Sequence, residues 1–193
     1  MRITPQEYRA LRLEVHEILR DVPLRDVSVV DLPGGGQGRT VGDVHSLLGA
    51  DELMGSSAAV SALFGLRRVL GRVFGWDDQR NAAGAPSYIH RLPQELSARS
   101  KVLPGTPDGP FIMLYQLDRE SLAEIRNATV HAFLCTVLEA RAGDYRLYWA
   151  VYVKPVSWLT PVYMAAIEPF RRFIVYPLVL RRIQRTWRET FGG

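Results

Sequence analysis

Residues 145–187 constrain the fold more than any other stretch of this 193-residue chain. The run YRLYWAVYVKP is built from aromatic and β-branched residues. Alternation puts Leu147, Trp149, Val151 and Val153 on one side of an extended strand and Arg146, Tyr148, Tyr152 and Lys154 on the other. One side reads as buried, the other as wet. Pro155 has no N–H for a ladder, so pairing should end there. Thr160 and Pro161 then read as a helix opening, a hydroxyl cap followed by a residue whose fixed φ suits the first turn. Beyond them, Val162, Ala166, Phe170, Phe173, Pro177 and Leu180 fall along one stripe, opposite Glu168, Arg171, Arg172, Val175 and Arg182. The pattern predicts a long amphipathic helix lying over a core. Pro169 and Pro177 each remove a backbone hydrogen bond and predict bends that suit the concave side of a curved sheet, with two helices broken at one of these prolines as the alternative.

Composition narrows the function classes. An apolar share of 47% with 23% charged residues belongs to a globular chain, and the length predicts a single domain over 1–193. No run of 18 uncharged apolar residues exists, so no integral membrane span is expected, and Glu168, Arg171 and Arg172 exclude the last helix as one. The opening MRITPQEYRALRLEVHEILRD is too charged for the apolar centre of a secretion signal, which predicts a cytoplasmic location. Cys135 is the single cysteine, allowing neither an internal disulfide nor a cysteine metal cluster. Net charge is +4, and residues 159–193 carry six Arg against two Glu, enough to account for it. Those arginines lack aromatics interleaved on the same face, and they complement the helix dipole, so nucleic acid is not an expected partner. Lys101 and Lys154 are the only lysines among 24 basic residues, a bias typical of GC-rich bacterial coding.

In chain order, Thr4-Pro5-Gln6-Glu7 is a capping box with a first-turn proline, and Tyr8, Leu11, Val15, Ile18 and Leu19 continue it as a helix over 4–20. His16 beside that stripe reads as a boundary histidine. VSVVDL, residues 27–32, is a short strand stopped by Pro33 and the run Gly34-Gly35-Gly36-Gln37-Gly38. That run lacks the Lys-Ser/Thr of a P-loop and the order of a dinucleotide fingerprint, so it reads as a flexible turn. Helical spacing starts at Thr40 with Val44, Leu47 and Leu48 and resumes over residues 58–74; His45 at its start either points into a cavity or does not. Residues 81–86 form a small-residue loop. SYIHRL at 87–92 and FIMLYQLD at 111–118 are predicted strands, the second entered through a turn at 107–110. Residues 122–139 and the strand at 145 then complete an antiparallel meander.

Within that meander Asn127, Thr129 and His131 alternate onto one face, with Ala128, Val130, Ala132 and Leu134 on the other. If the polar row faces solvent it carries no function. If it faces a cavity, each group needs a partner, from within the row or from a ligand. Histidine is the side chain whose proton moves near neutral pH, so His131 is the acid/base candidate, with Tyr115, Glu124, His90 and Arg91 as possible neighbours from adjacent strands. No metal-ligand spacing, nucleophile elbow or Cys-His pattern is present, so neither metal nor cofactor is expected.

The order of elements is similar to the helix-grip fold of START-type lipid-transfer domains and aromatase/cyclases. EIRNATVHAFL (124–134) and YWAVYVKPVSWLTPVYMAAIEPFRRFIVYPLVL (148–180) resemble domain of unknown function family 2867 of that START-like, polyketide-cyclase-like (SRPBCC) superfamily. The resemblance implies an α+β fold in which a curved antiparallel sheet grips a long C-terminal helix. Residues 27–190 would form that core and the helix at 4–20 an extra N-terminal element. It implies a cavity between sheet and helix, and it transfers no catalytic residue. The expected occupant is a small hydrophobic ligand such as a lipid, isoprenoid or polyketide. Its expected contacts are Tyr115, Glu124, Asn127, Thr129, Leu147, Trp149, Val151, Ala166, Phe170 and Phe173. The alternatives are a cyclase-type enzyme using His131 in the same pocket, and a protein or membrane surface docking on the Arg-rich face of the last helix.

Overall fold

In this computed structural model, residues 3–48, 86–126, 130–156, 160, 164–165, 168–169, 173 and 176–192 are described. Two eleven-residue strands dominate them: β5 (Val130–Ala140) and β6 (Tyr145–Pro155), which pair antiparallel from Val130↔Pro155 to Ala140↔Tyr145. Outside them lie β1 (Leu24–Leu32) on β6 and, on the far side of β5, β4 (Glu120–Arg126), β3 (Phe111–Gln116) and β2 (Pro107–Asp108). The result is a curved six-stranded antiparallel sheet of order β1-β6-β5-β4-β3-β2. Helices are α1 (Pro5–Arg9), α2 (Val15–Ile18), α3 (Val41–Leu48), α4 (Gln94–Arg99) and the sixteen-residue C-terminal α5 (Tyr176–Phe191).

α5 lies across the face that carries Leu147, Trp149, Val151 and Val153, called the grip face below. There Leu32, Leu138 and Leu147 of the strands, Val41 and Val44 of α3, and Val179, Leu180, Ile183 and Trp187 of α5 share one apolar cluster. This is the helix-grip arrangement expected from the sequence. Two details differ. The buried stripe of α5 is Tyr176, Val179, Leu180, Ile183 and Trp187, so Phe173, expected on the inner stripe, is 71% exposed. The glycine run is not a free turn. Gly35 N donates to Phe191 O (3.1 Å), and a Cβ on Gly35, at φ +101°, would stand 2.8 Å from the Trp187 ring. Glycine is required where this backbone crosses the end of α5.

The opposite, outer face was expected to be wet, and it is not. Tyr148 and Tyr152 are buried there with Val27, Val29, Leu122, Phe133, Cys135 and Val137, beneath Tyr8 of α1, Val15 and Ile18 of α2, Tyr88 and Leu96. A central strand of a sheet covered on both sides has no wet face, so alternation in polarity fades while alternation in position persists. The single helix expected over 4–20 is two short ones, α1 ending at the Ala10 cap, and it is their side chains that cover the outer face. Residues 87–92, expected to be a strand, hold a 3-10 turn (Tyr88–Arg91), because Ser87 Oγ accepts from Ile89 N (3.2 Å) as a cap.

Candidate functional site

Two polar groupings are built into the sheet, one on each face. On the outer face, register pairs Arg126 with His131 and His131 with Lys154, and one step inward Glu124 with Phe133 and Phe133 with Tyr152. Side chains paired in this way share a face. Glu124 is fully buried and receives three donors: Ser87 Oγ on Oε1 (2.5 Å), Tyr88 N on Oε2 (3.1 Å), and His131 Nε2 at 2.8 Å from Oε2. Arg126 Nε lies 3.3 Å from Oε1. Burial pushes this carboxyl up, but the bonds from His131, Ser87 and Tyr88 N outweigh it and hold Glu124 below the ordinary glutamate value. His131, 1% exposed, is stacked near Phe133 (ring centroids 4.4 Å) and edge-on to Tyr88 (5.1 Å), and its Nδ1 has no hydrogen-bond partner among the described residues. Lys154 Nζ donates to Tyr88 Oη (3.0 Å), and the Arg91 guanidinium lies 3.9 Å over the Tyr88 ring while pairing with Asp21.

A second buried carboxylate, Glu120, sits further along the same face. It accepts from Val15 N (2.9 Å), Glu14 N (3.0 Å) and the Tyr115 hydroxyl. Burial raises its pKa despite those donors. A shift in register between Met113 and Tyr115 sends Tyr115 to this outer face while Met113 stays across from Ala123. Strict alternation would put both on one side. Glu120 thus ties the start of α2 to the sheet, a structural task.

The grip face differs in chemistry. Between the cluster under α5 and a smaller one of Val130, Val153 and Met164, the central residues Trp149, Val151, Leu134 and Ala132 are only half-buried. They form an apolar floor in mid-sheet. In line with Trp149 across the sheet lie three buried polar side chains, Ser121 paired with Thr136 on one side and Ser28 on the other. His45 of α3 reaches down to this row, its Nε2 2.8 Å from Ser121 Oγ, while its Nδ1 stands 3.5 Å from Asp108 Oδ2. The contact with His45, opposed by partial burial, holds Asp108 below the ordinary aspartate value. Among the described residues no three His, Cys, Asp or Glu side chains converge as a metal cage, and no helix is long and apolar enough to cross a membrane.

The profile of the family described as protein of unknown function (DUF2867) matches residues 18–178, more than four-fifths of the chain. The chain belongs to the DUF2867 family. No curated protein matches this sequence. Among solved structures it is similar to the crystal structure of the di-domain ARO/CYC StfQ from the steffimycin biosynthetic pathway. Sequence identity is 13% over 93% of this chain, with a TM-score of 0.43. The chain spans 56% of that solved chain. The DUF2867 match takes in both polar groupings but stops short of Ile183 and Trp187 and begins after α1.

Within this DUF2867 chain the residues expected around one cavity divide between two faces. Leu147, Trp149 and Val151 lie on the grip face; His131, Glu124 and Tyr115 lie on the outer face, separated from them by the sheet. The reason is the two-residue period itself, since the strand residues that touch α5 cannot be those that neighbour His131. Asn127, Thr129, Ala166 and Phe170 lie outside the described residues. Phe173 points outward. Ser87, Ser121 and Asp108 were missed: a serine in a strand and one before a short turn carry no signal in one sequence. His45 had been weighed, without a partner to fix its direction.

Proposed function

We propose that this protein binds a small hydrophobic ligand on the grip face, lying on Trp149, Val151, Leu134 and Ala132 beside the cluster under α5. The observation that carries this is the half-burial of apolar residues at the centre of a sheet whose outer face is closed at the same positions. Central apolar side chains left partly uncovered between two sealed clusters are what an apolar ligand would complete. The polar row at Ser121, Thr136 and His45 borders the floor on one side and suits a ligand with one polar end, as a fatty acyl, isoprenoid or polyketide-like molecule has. His131 takes no part in this reading, because the sheet stands between it and Trp149.

The test is titration of the full chain with the apolar fluorophore N-phenyl-1-naphthylamine, followed by emission and by quenching of tryptophan. Saturable uptake near one per chain is expected. Trp149→Ala removes part of the floor and Ala132→Leu fills it; each should weaken uptake by about 10- to 100-fold, the equivalent of losing roughly 1.5–3 kcal/mol of apolar contact. Uptake that does not saturate, or that neither substitution changes while both variants melt cooperatively, rules the grip face out.

A further inference from the structure

The chemistry of Asp108, His45 and Ser121 goes beyond what holding a ligand requires. Order matters in such a line of groups. On the outer face a serine also joins a carboxylate and a histidine, but there Ser87 donates to Glu124 and the imidazole is at the end, so the hydroxyl does not face the imidazole. On the grip face the histidine is in the middle: Nδ1 faces Asp108 at 3.5 Å and Nε2 faces Ser121 Oγ at 2.8 Å. A carboxylate on the Nδ1 side favours the tautomer protonated there, which leaves the Nε2 lone pair to take the serine proton. Asp108 is held ionised by the same contact. Ser121 is 2% exposed, whereas the side chains of His45 and Asp108 are 21% and 39% exposed. The hydroxyl is therefore sheltered from water and borders Ala123, Leu134 and Thr136 on its own face.

We infer that Ser121, His45 and Asp108 form an acyl-transfer centre that hydrolyses an ester or thioester of a hydrophobic acid, an inference that rests on the grip-face ligand site for its substrate. Ser121 Oγ attacks the acyl carbon, the new Oγ–C bond forms, and the bond from that carbon to the alcohol or thiol breaks. The serine proton passes to His45 Nε2 and from there to the departing oxygen or sulfur. Water then attacks the acyl-serine, giving a proton to Nε2 that returns to Ser121 Oγ as the Oγ–C bond breaks. One ester and one water yield one carboxylic acid and one alcohol or thiol. Thr136, directly across from Ser121, supplies the nearest strand hydroxyl to donate to the carbonyl oxygen, at the roughly 5 Å Cβ spacing of paired residues.

The experiment is reaction of the full chain with a decyl fluorophosphonate, read by intact mass and peptide mapping, with N-phenyl-1-naphthylamine uptake measured on the same samples. One adduct at Ser121 is expected. His45→Gln and Asp108→Asn should slow it by about 10²–10⁴-fold, while Ser46→Ala, on the outward side of α3, should label at the wild-type rate. A thermal melt of each variant establishes that slow labelling is not unfolding. Cleavage of p-nitrophenyl decanoate should follow the labelling rates. No adduct on the folded wild type, an adduct at another serine, or undiminished labelling in both His45→Gln and Asp108→Asn overturns the inference. Dye uptake without labelling at Ser121 overturns this centre and leaves the binding site standing; labelling without saturable dye uptake does the reverse.

Discussion

At the scale of single residues, burial raises both buried carboxyls, Glu124 and Glu120, but they end on opposite sides of the ordinary value because their partners differ. Glu124 is held below its ordinary value, so its ionised form stabilises the fold above about pH 4.3 and that contribution is lost as pH falls through the depressed folded value. Glu124→Gln should accordingly flatten the acid side of the stability curve: between about pH 5 and pH 3 its urea midpoint should fall less than that of the wild type. Equal falls would mean that Glu124 is not linked to acid unfolding. Glu120 has a raised value, and its role is accepting from Glu14 N, Val15 N and Tyr115. Glu120→Ala leaves buried donors unpaired at roughly 1–3 kcal/mol each, so a loss of about 3 kcal/mol or more is expected in chemical denaturation, against about 1 kcal/mol for Tyr115→Phe. Comparable losses in the two variants would show that the backbone bonds to α2 contribute little.

At the scale of elements, the sheet is closed by segments from the two ends of the chain. α5 is held at its end by Trp187, whose ring meets Tyr145 (centroids 5.5 Å) and Phe191 (4.9 Å) under the Gly35 backbone. Trp187→Ala should cost about 3–5 kcal/mol in urea unfolding, since the glycine backbone packed on the ring has no side chain to fill the space. A smaller loss would show that α5 is held mainly by Val179, Leu180 and Ile183. On the other face, α1 and α2 cover Tyr148, Tyr152 and Phe133. A chain starting at residue 23 should therefore expose a wide aromatic surface and sediment as aggregate, while a monomeric, cooperatively melting product would show that the outer face closes without them.

At the scale of the whole molecule, β5 and β6 are flanked on both edges and closed on the outer face, with the grip face half-covered at its centre, whereas β2 and β3 lie at the rim. Amides of β5 and β6 are expected to exchange hydrogen only through global unfolding, and those of residues 107–116 earlier, through local opening. Exchange from β6 as fast as from β3 would mean that the grip face opens without global unfolding. The same layering separates the two candidate chemistries, since no ligand can touch His131 and Trp149 at once while the sheet is intact.

What the sequence determined by itself is what depends on neighbours along the chain. The strand at β6, its end at Pro155, the capping box at Thr4 and the amphipathic α5 follow from alternation, from a missing N–H and from a 3.6-residue period. The DUF2867 resemblance, carried by two passages, agrees with the profile match over residues 18–178. Of the candidate site, alternation alone put Leu147, Trp149 and Val151 on one side of the strand, and that side is the grip face. Tertiary structure decided what lies across space. It decided which side of the sheet His131 and Glu124 take, because β4 and β5 are two strands paired antiparallel, with Arg126 across from His131, where an unbroken strand had been expected. It sent Tyr115 to the outer face through a one-residue shift that alternation does not encode. It closed the outer face with the first 22 residues, and it joined His45, Asp108 and Ser121 from three separate elements. Local patterns report the forces between residues a few positions apart; the contacts that make a site act between segments tens of residues apart, and only packing brings those together.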